Sequence, residues 1–99
     1  MGFKISNEAQ NDLENIWLYT FETWSVEQAD RYIELIIDEI EYLANNPNTG
    51  RDFGFIRKGY YRSKVKSHLI FYKINQKKEL IEIIRILHQQ MDIENRLND

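Results

Sequence analysis

The side chains able to do chemistry in this sequence are concentrated in its second half, and almost all are cationic. Arg57, Arg62, Lys64, Lys66 and Arg85, with His68, His88 and Tyr72, form a set that can hold phosphates. The same set would stabilise a phosphorane-like transition state if a proton acceptor stood beside an attacking 2′-hydroxyl. No such base is evident among them. Arg85 is the most unusual member, because it interrupts the apolar run Ile83-Ile84-Arg85-Ile86-Leu87. A buried guanidinium needs partners, so Arg85 either pairs with a carboxylate or faces a functional groove. His88 closes the same run, where a structural role competes with a functional one. His88 and Asp92 are four apart, but two ligands make a poor metal site, and there is no cysteine. Nucleophile-elbow, phosphate-loop and dinucleotide motifs are all missing. No metal and no cofactor is expected.

The net charge of −3 conceals a division. Residues 1–49 carry ten acids and two bases, Lys4 and Arg31, whereas residues 50–99 carry eleven bases and six acids. Between Asp52 and Glu79 there is no acid, while Arg57, Lys58, Arg62, Lys64, Lys66, Lys73, Lys77 and Lys78 all fall there. That stretch would attract an anionic partner, nucleic acid or acidic peptide. Lysines also protect sheet edges from mispairing, so a solvated edge accounts for the same pattern.

The elements that must carry these residues divide at Pro47. Before it the apolar period is helical. Ala9, Leu13, Ile16, Trp17 and Trp24 fall at helical spacing, so one face of a helix over residues 8–23, capped by Ser6 or Asn7, is largely apolar. Ser25-Val26-Glu27-Gln28 is a capping box opening a second helix. Its stripe is Ala29, Tyr32, Ile33, Ile36, Ile37, Ile40, Leu43 and Ala44. Asn45-Asn46-Pro47 ends it. Trp17, Tyr19, Phe21, Trp24 and Tyr32 read as packing residues. After a connector over residues 48–59, β-branched and aromatic runs predict strands over 60–66, 68–74 and 80–87, with a first short strand at 3–5. Residues 91–97 can add one or two helical turns. The expected fold is α+β: an N-terminal strand and a helical hairpin (8–44) packed on a small, mainly antiparallel sheet, with a short helical tail. Ile36 and Ile40 should lie in its core. The 99 residues suit one domain, 1–99. No segment reads as a signal peptide or membrane span, which with the lack of cysteine fits the cytoplasm.

The order and spacing of several short pieces resemble the ParE branch of the RelE/ParE toxin superfamily of bacterial toxin–antitoxin modules. The pieces are Ala9…Asp12-Leu13…Ile16-Trp17…Tyr19, Gln28-Ala29…Tyr32, Asn46-Pro47…Gly50-Arg51 and Ile56-Arg57-Lys58-Gly59-Tyr60. They continue with Ser67-His68-Leu69-Ile70-Phe71-Tyr72 and Ile84-Arg85-Ile86-Leu87-His88…Met91-Asp92. The resemblance implies the fold above, a plasmid-stabilising module, and a co-encoded antitoxin that wraps and neutralises this protein. It also implies one of two activities: inhibition of DNA gyrase, as in ParE-like members, or ribosome-dependent cleavage of messenger RNA, as in RelE-like members. RelE-like members carry lysines on one strand and an arginine on the next. Here Arg62 and Lys64 would stand for the lysines, with Arg85 and His88 still present, but Leu69 occupies the arginine's place. A leucine cannot bind a phosphate, so the resemblance favours gyrase inhibition over RNA cleavage. A degenerate member that only binds its antitoxin is the third reading. No catalytic residue is assigned under the gyrase reading; under the RNA reading they would be Arg62, Lys64, Arg85 and His88. The surface for target or antitoxin is Arg57, Lys58, Arg62, Lys64, Lys66, His68, Arg85, His88 and the apolar Met91.

Overall fold

The computed structural model describes residues 1–97. Strand β1 (Gly2–Ile5) leads into helices α1 (Asn7–Thr23) and α2 (Val26–Asn45). A 3-10 turn at Pro47–Thr49 follows, then β2 (Arg51–Asp52), β3 (Tyr61–Val65), β4 (His68–Asn75), β5 (Leu80–His88) and α3 (Ile93–Leu97). The five strands lie in the order β1-β5-β4-β3-β2. β1 runs parallel to β5, and every other pair is antiparallel.

The helix starts follow from two serines. The Ser6 hydroxyl accepts from the Ala9 N–H at 3.0 Å, and the Ser25 hydroxyl accepts from Gln28 N–H at 3.1 Å. One residue, Trp24, separates the last helical residue of α1 from the cap of α2, which forces the two helices into a hairpin. Ile36 and Ile40 are completely buried on the hairpin's inner face. With Ala9, Ile16, Leu43 and Ala44 they meet Ile70, Tyr72, Ile81, Ile83 and Ile86 of the sheet.

The opposite face of the sheet is also covered. Tyr60, Leu69, Phe71, Leu87 and Leu97 form a second apolar cluster, closed by Phe53 and Ile56 of the connector, Ile84 of β5 and Ile93 of the tail. Both runs of β4 and β5 read as apolar on both sides for this reason: each side has its own core. The tail anchors through Leu97, while Met91 stays exposed.

Two expectations are corrected. The connector contributes a fifth strand: Arg51 and Asp52 pair with Arg62 and Tyr61. A two-residue strand has no period to read. Second, Tyr19, Phe21 and Trp24 do not pack into the core; Tyr19 is 70% and Trp24 73% exposed. The buried positions of α1 end at Ile16, so its last two turns carry their aromatic rings beyond the core. Trp17 stacks on Phe21 at 5.3 Å and donates its indole N–H to Asp30 of α2, a contact at the hairpin's rim.

Candidate functional site

A groove of about 1080 Å³ opens between the hairpin and the free end of the sheet. Its positioning begins with β1, which pairs only with residues 80–83 of β5. Beyond Ile5 the β5 edge would be bare. The chain turns there into α1, and α1 satisfies that edge with side chains. Ser6 Oγ donates to the Ile84 carbonyl at 2.8 Å, and Asp12 Oδ2 accepts from the Ile86 N–H at 2.9 Å.

Asp12 also answers the question posed by Arg85. Its carboxylate takes the guanidinium in a fork, Nε to Oδ2 at 2.8 Å and Nη2 to Oδ1 at 3.0 Å. Arg85 Nη1 reaches the Arg96 carbonyl at 3.4 Å, which ties the tail to the same pair. Arg85 is thus both paired and at the groove. Its place depends on a β-bulge. Phe71 pairs with Arg85 but Tyr72 with Ile83, so Ile84 is an extra residue in β5. Simple alternation from Ile81 and Ile83 would have put Arg85 among the helix-facing core residues. The extra residue gives that place to Ile86.

The floor of the groove holds the two histidines, which face each other across β4 and β5 with ring centroids 5.2 Å apart. Tyr32 of α2 hydrogen-bonds His68 Nδ1 at 2.6 Å. The Gln90 N–H donates to His88 Nδ1 at 3.1 Å, which puts the proton of the neutral ring on Nε2. Burial, then the neighbouring His88, pull the His68 pKa down to about 4, against a small upward pull from Asp12. His68 is therefore neutral in the folded protein at pH values where the unfolded chain, near 6.5, already takes a proton. Its contribution to stability is complete above the unfolded value and is lost as pH falls towards the folded one. Urea midpoints should accordingly drop between about pH 6.5 and about pH 4, and His68→Gln should flatten that part of the dependence. An unchanged slope in the variant would refute the role of His68.

The walls add Tyr19 and Trp24, whose exposed rings stand over the groove, together with Leu35, Arg31 and Lys66. Met91 and Arg96 close it from the tail. Of the positions expected from the sequence, the structure therefore brings Lys66, His68, Arg85, His88 and Met91 together here. Arg62 does not line it; its guanidinium lies 5.6 Å from the centre of the Phe53 ring. Arg57 and Lys58 are exposed in the turn before Gly59. Lys64 borders a shallow depression beside Glu39 and Tyr42 of α2. Leu69 is only 5% exposed, built into the second core. Sequence reasoning missed Asp12, the exposed pair Tyr19 and Trp24, and Phe55. The Phe-Gly-Phe between charged residues was the available signal for the last. Among the described residues no group of three or more histidines, aspartates and glutamates stands close enough to hold a metal ion. No helix is long and apolar enough to cross a membrane.

Comparison with known proteins converges on one family. The family model described as ParE toxin of type II toxin–antitoxin system, parDE, matches residues 3–93. Toxin ParE1 of Mycobacterium tuberculosis strain H37Rv is 37% identical over 95 residues, 96% of each chain. Toxin ParE1 of Caulobacter vibrioides is 38% identical over 90 residues, 91% of each chain. Among solved structures, a chain of the chromosomal ParDE TA system from P. aeruginosa superposes with a TM-score of 0.77 at 19% identity, covering 89% of this chain and 95% of its own. A chain of the RelBE2 toxin–antitoxin complex from M. tuberculosis gives 0.65 at 15% identity, covering 88% and 95%. Those two likenesses speak for the fold; the family model and the curated relatives speak for the lineage. The chain belongs to the ParE family, the toxins of type II toxin–antitoxin systems.

Proposed function

We propose that this toxin acts by binding DNA gyrase, without cutting RNA, and that a co-encoded antitoxin neutralises it by filling the groove between hairpin and sheet. The observation that carries the choice of target is the fate of the cations. The ground between Arg62 and Arg85 on the sheet is occupied by Phe71, and beside it Lys64 faces Leu69 and then Leu87. All three apolar residues are buried. Arg85 is committed to Asp12, and both histidines have their Nδ1 atoms engaged. A phosphate in that position would have to displace an apolar core, whereas an inhibitor that works by binding needs only complementary surface.

The groove supports the antitoxin assignment. Exposed Tyr19 and Trp24 are the ring types that serve as anchors in interfaces, and Arg31, Lys66 and Arg96 frame them with positive charge. An amphipathic acidic segment laid in a groove answers both features. The structural relatives include toxins from a ParDE system and from a toxin–antitoxin complex.

The test adds purified toxin to gyrase with relaxed plasmid, and separately to ribosomes programmed with a defined message. Loss of supercoiling or trapped cleaved DNA, with intact message, is the expected result. Codon-dependent cuts with normal supercoiling would overturn the proposal and return Arg62, Lys64, Arg85 and His88 to catalysis. Neither effect would leave antitoxin binding alone.

A further inference from the structure

The face of the sheet turned away from the helical hairpin carries a feature that neither the groove nor the family assignment uses. Phe55 is 78% exposed, the most exposed large apolar side chain described. It is nonetheless supported from below. Its ring lies 4.9 Å from that of Phe53, which lies 5.3 Å from the fully buried Phe71. The three rings form a column rising from the core into solvent, and the Arg62 guanidinium rests on the middle one.

Cations surround the column. Arg51 is the cross-strand neighbour of Arg62 and so shares its face. Arg57 and Lys58 are exposed in the turn just after Phe55, and Lys73 sits 5.9 Å from the Tyr60 ring. Two acids adjoin these cations: Asp52, exposed, accepts the Gly54 N–H at 2.7 Å, and Glu82 is the cross-strand neighbour of Lys73. By contrast, helices α1 and α2 carry ten acids and one base. The charge of the molecule is therefore segregated, acidic over the hairpin and basic around Phe55, which orients this face towards a polyanion.

We propose that this face binds duplex DNA, with the cations on the phosphates and Phe55 as an apolar wedge at a base step. An acidic protein surface would satisfy the cations, but it offers no apolar slot flanked by regularly spaced anions. A B-form duplex offers both, and wedge insertion by phenylalanine from the groove side is physically established for such DNA. A-form RNA fits poorly, because its major groove is too narrow for side chains to read and its minor groove is shallow. The inference deepens the gyrase reading, on which its biological sense rests: the DNA would be the segment that gyrase holds. The groove stays free for the antitoxin, on the other side of the sheet.

The experiment uses full-length toxin without gyrase and a labelled mixed-sequence duplex of about 20 base pairs. Anisotropy at about 50 to 200 mM salt gives affinity and salt slope, and energy transfer between the duplex ends reports bending. Wild-type toxin should bind with steep salt dependence and shorten the end-to-end distance. Lys58→Gln should reduce the slope by about one unit. Phe55→Ala should weaken binding by about tenfold, abolish the shortening and leave the slope unchanged. Its exposure argues against misfolding as the cause of the loss, and a melting curve equal to wild type checks this directly. Absence of duplex binding at low salt, equal affinity for an RNA duplex of the same sequence, or wild-type bending by the Phe55→Ala variant would each overturn the proposal. A parallel supercoiling assay separates the two readings. Gyrase inhibited by a toxin that binds no DNA sinks the wedge alone, and DNA bound without effect on gyrase sinks the target alone.

Discussion

Replacing Asp12 with alanine is expected to destabilise the fold by about 3–5 kcal/mol, the range for breaking a largely buried ion pair from one side. Asp12 and Arg85 are only 12% and 16% exposed in their side chains, so solvent screens them little. Two losses combine. Arg85 would keep its charge without its fork-shaped partner, and the Ile86 N–H would lose its acceptor at the open part of the β5 edge. Asp12→Asn keeps an acceptor and should cost less. The double variant Asp12→Ala/Arg85→Met should be more stable than Asp12→Ala alone, because it removes the guanidinium that has lost its carboxylate. Urea denaturation of the three proteins checks this ordering. A loss below about 1 kcal/mol for Asp12→Ala, the level of an exposed pair, would contradict the account. The consequence reaches function, since the pair sets the wall of the groove and, through the Arg96 carbonyl, the tail that closes it.

Gly50→Ala is the second substitution with a large expected effect. Its φ of −68° and ψ of 155° are open to any residue, so the backbone raises no objection. At such a site alanine normally stabilises slightly, by about 0.4–1 kcal/mol, through the unfolded chain. Here a Cβ would stand 2.0 Å from the Tyr72 hydroxyl oxygen and 2.7 Å from Cζ. Tyr72 cannot move aside. It is completely buried, its oxygen accepts the Gly50 N–H at 3.0 Å, and it donates to the Pro47 carbonyl at 2.8 Å. Either the ring or the connector must shift, and both hydrogen bonds go with it. We expect a loss of about 3 kcal/mol or more, at the upper end of what overpacking costs. Tyr72→Phe in the same background should cost less than the sum of the singles, because it removes the atom in closest conflict. Thermal melting of the four proteins gives the cycle. A Gly50→Ala variant as stable as wild type would mean that the connector is looser than the Tyr72 anchor implies.

The histidine pair and the Asp12–Arg85 fork show how far apart in sequence the groove's parts lie. Arg85 announced itself, because a guanidinium inside an apolar run demands a partner. Nothing in the run named that partner, which is 73 residues away and looks like any acid in the first half of a helix. His68 and His88 were each visible, but their facing each other is a consequence of strand register.

What the sequence by itself determined is the set of elements and their class. The two serine caps, the stop at Pro47 and the change from a period of 3.6 to β-branched runs are local signals, and the observed boundaries follow them within two residues. The stripe through Ile36 and Ile40 identified the helix-side core for the same reason. Tertiary structure decided everything that depends on which face meets which. The one-residue bulge at Ile84 moved Arg85 out of the core row and put Ile86 in its place, a choice invisible to alternation because a slip of one residue exchanges the two faces of a strand. The second core beneath the connector and tail buried Leu69 and lifted Phe55 out. Register puts Arg62 and Arg85 in one cross-strand row with Phe71 between them, yet Arg85 bonds Asp12 at the groove while Arg62 stays over Phe53. Composition counts charges along the chain, but only the sheet, with one core on each of its faces, determines which of them can act together.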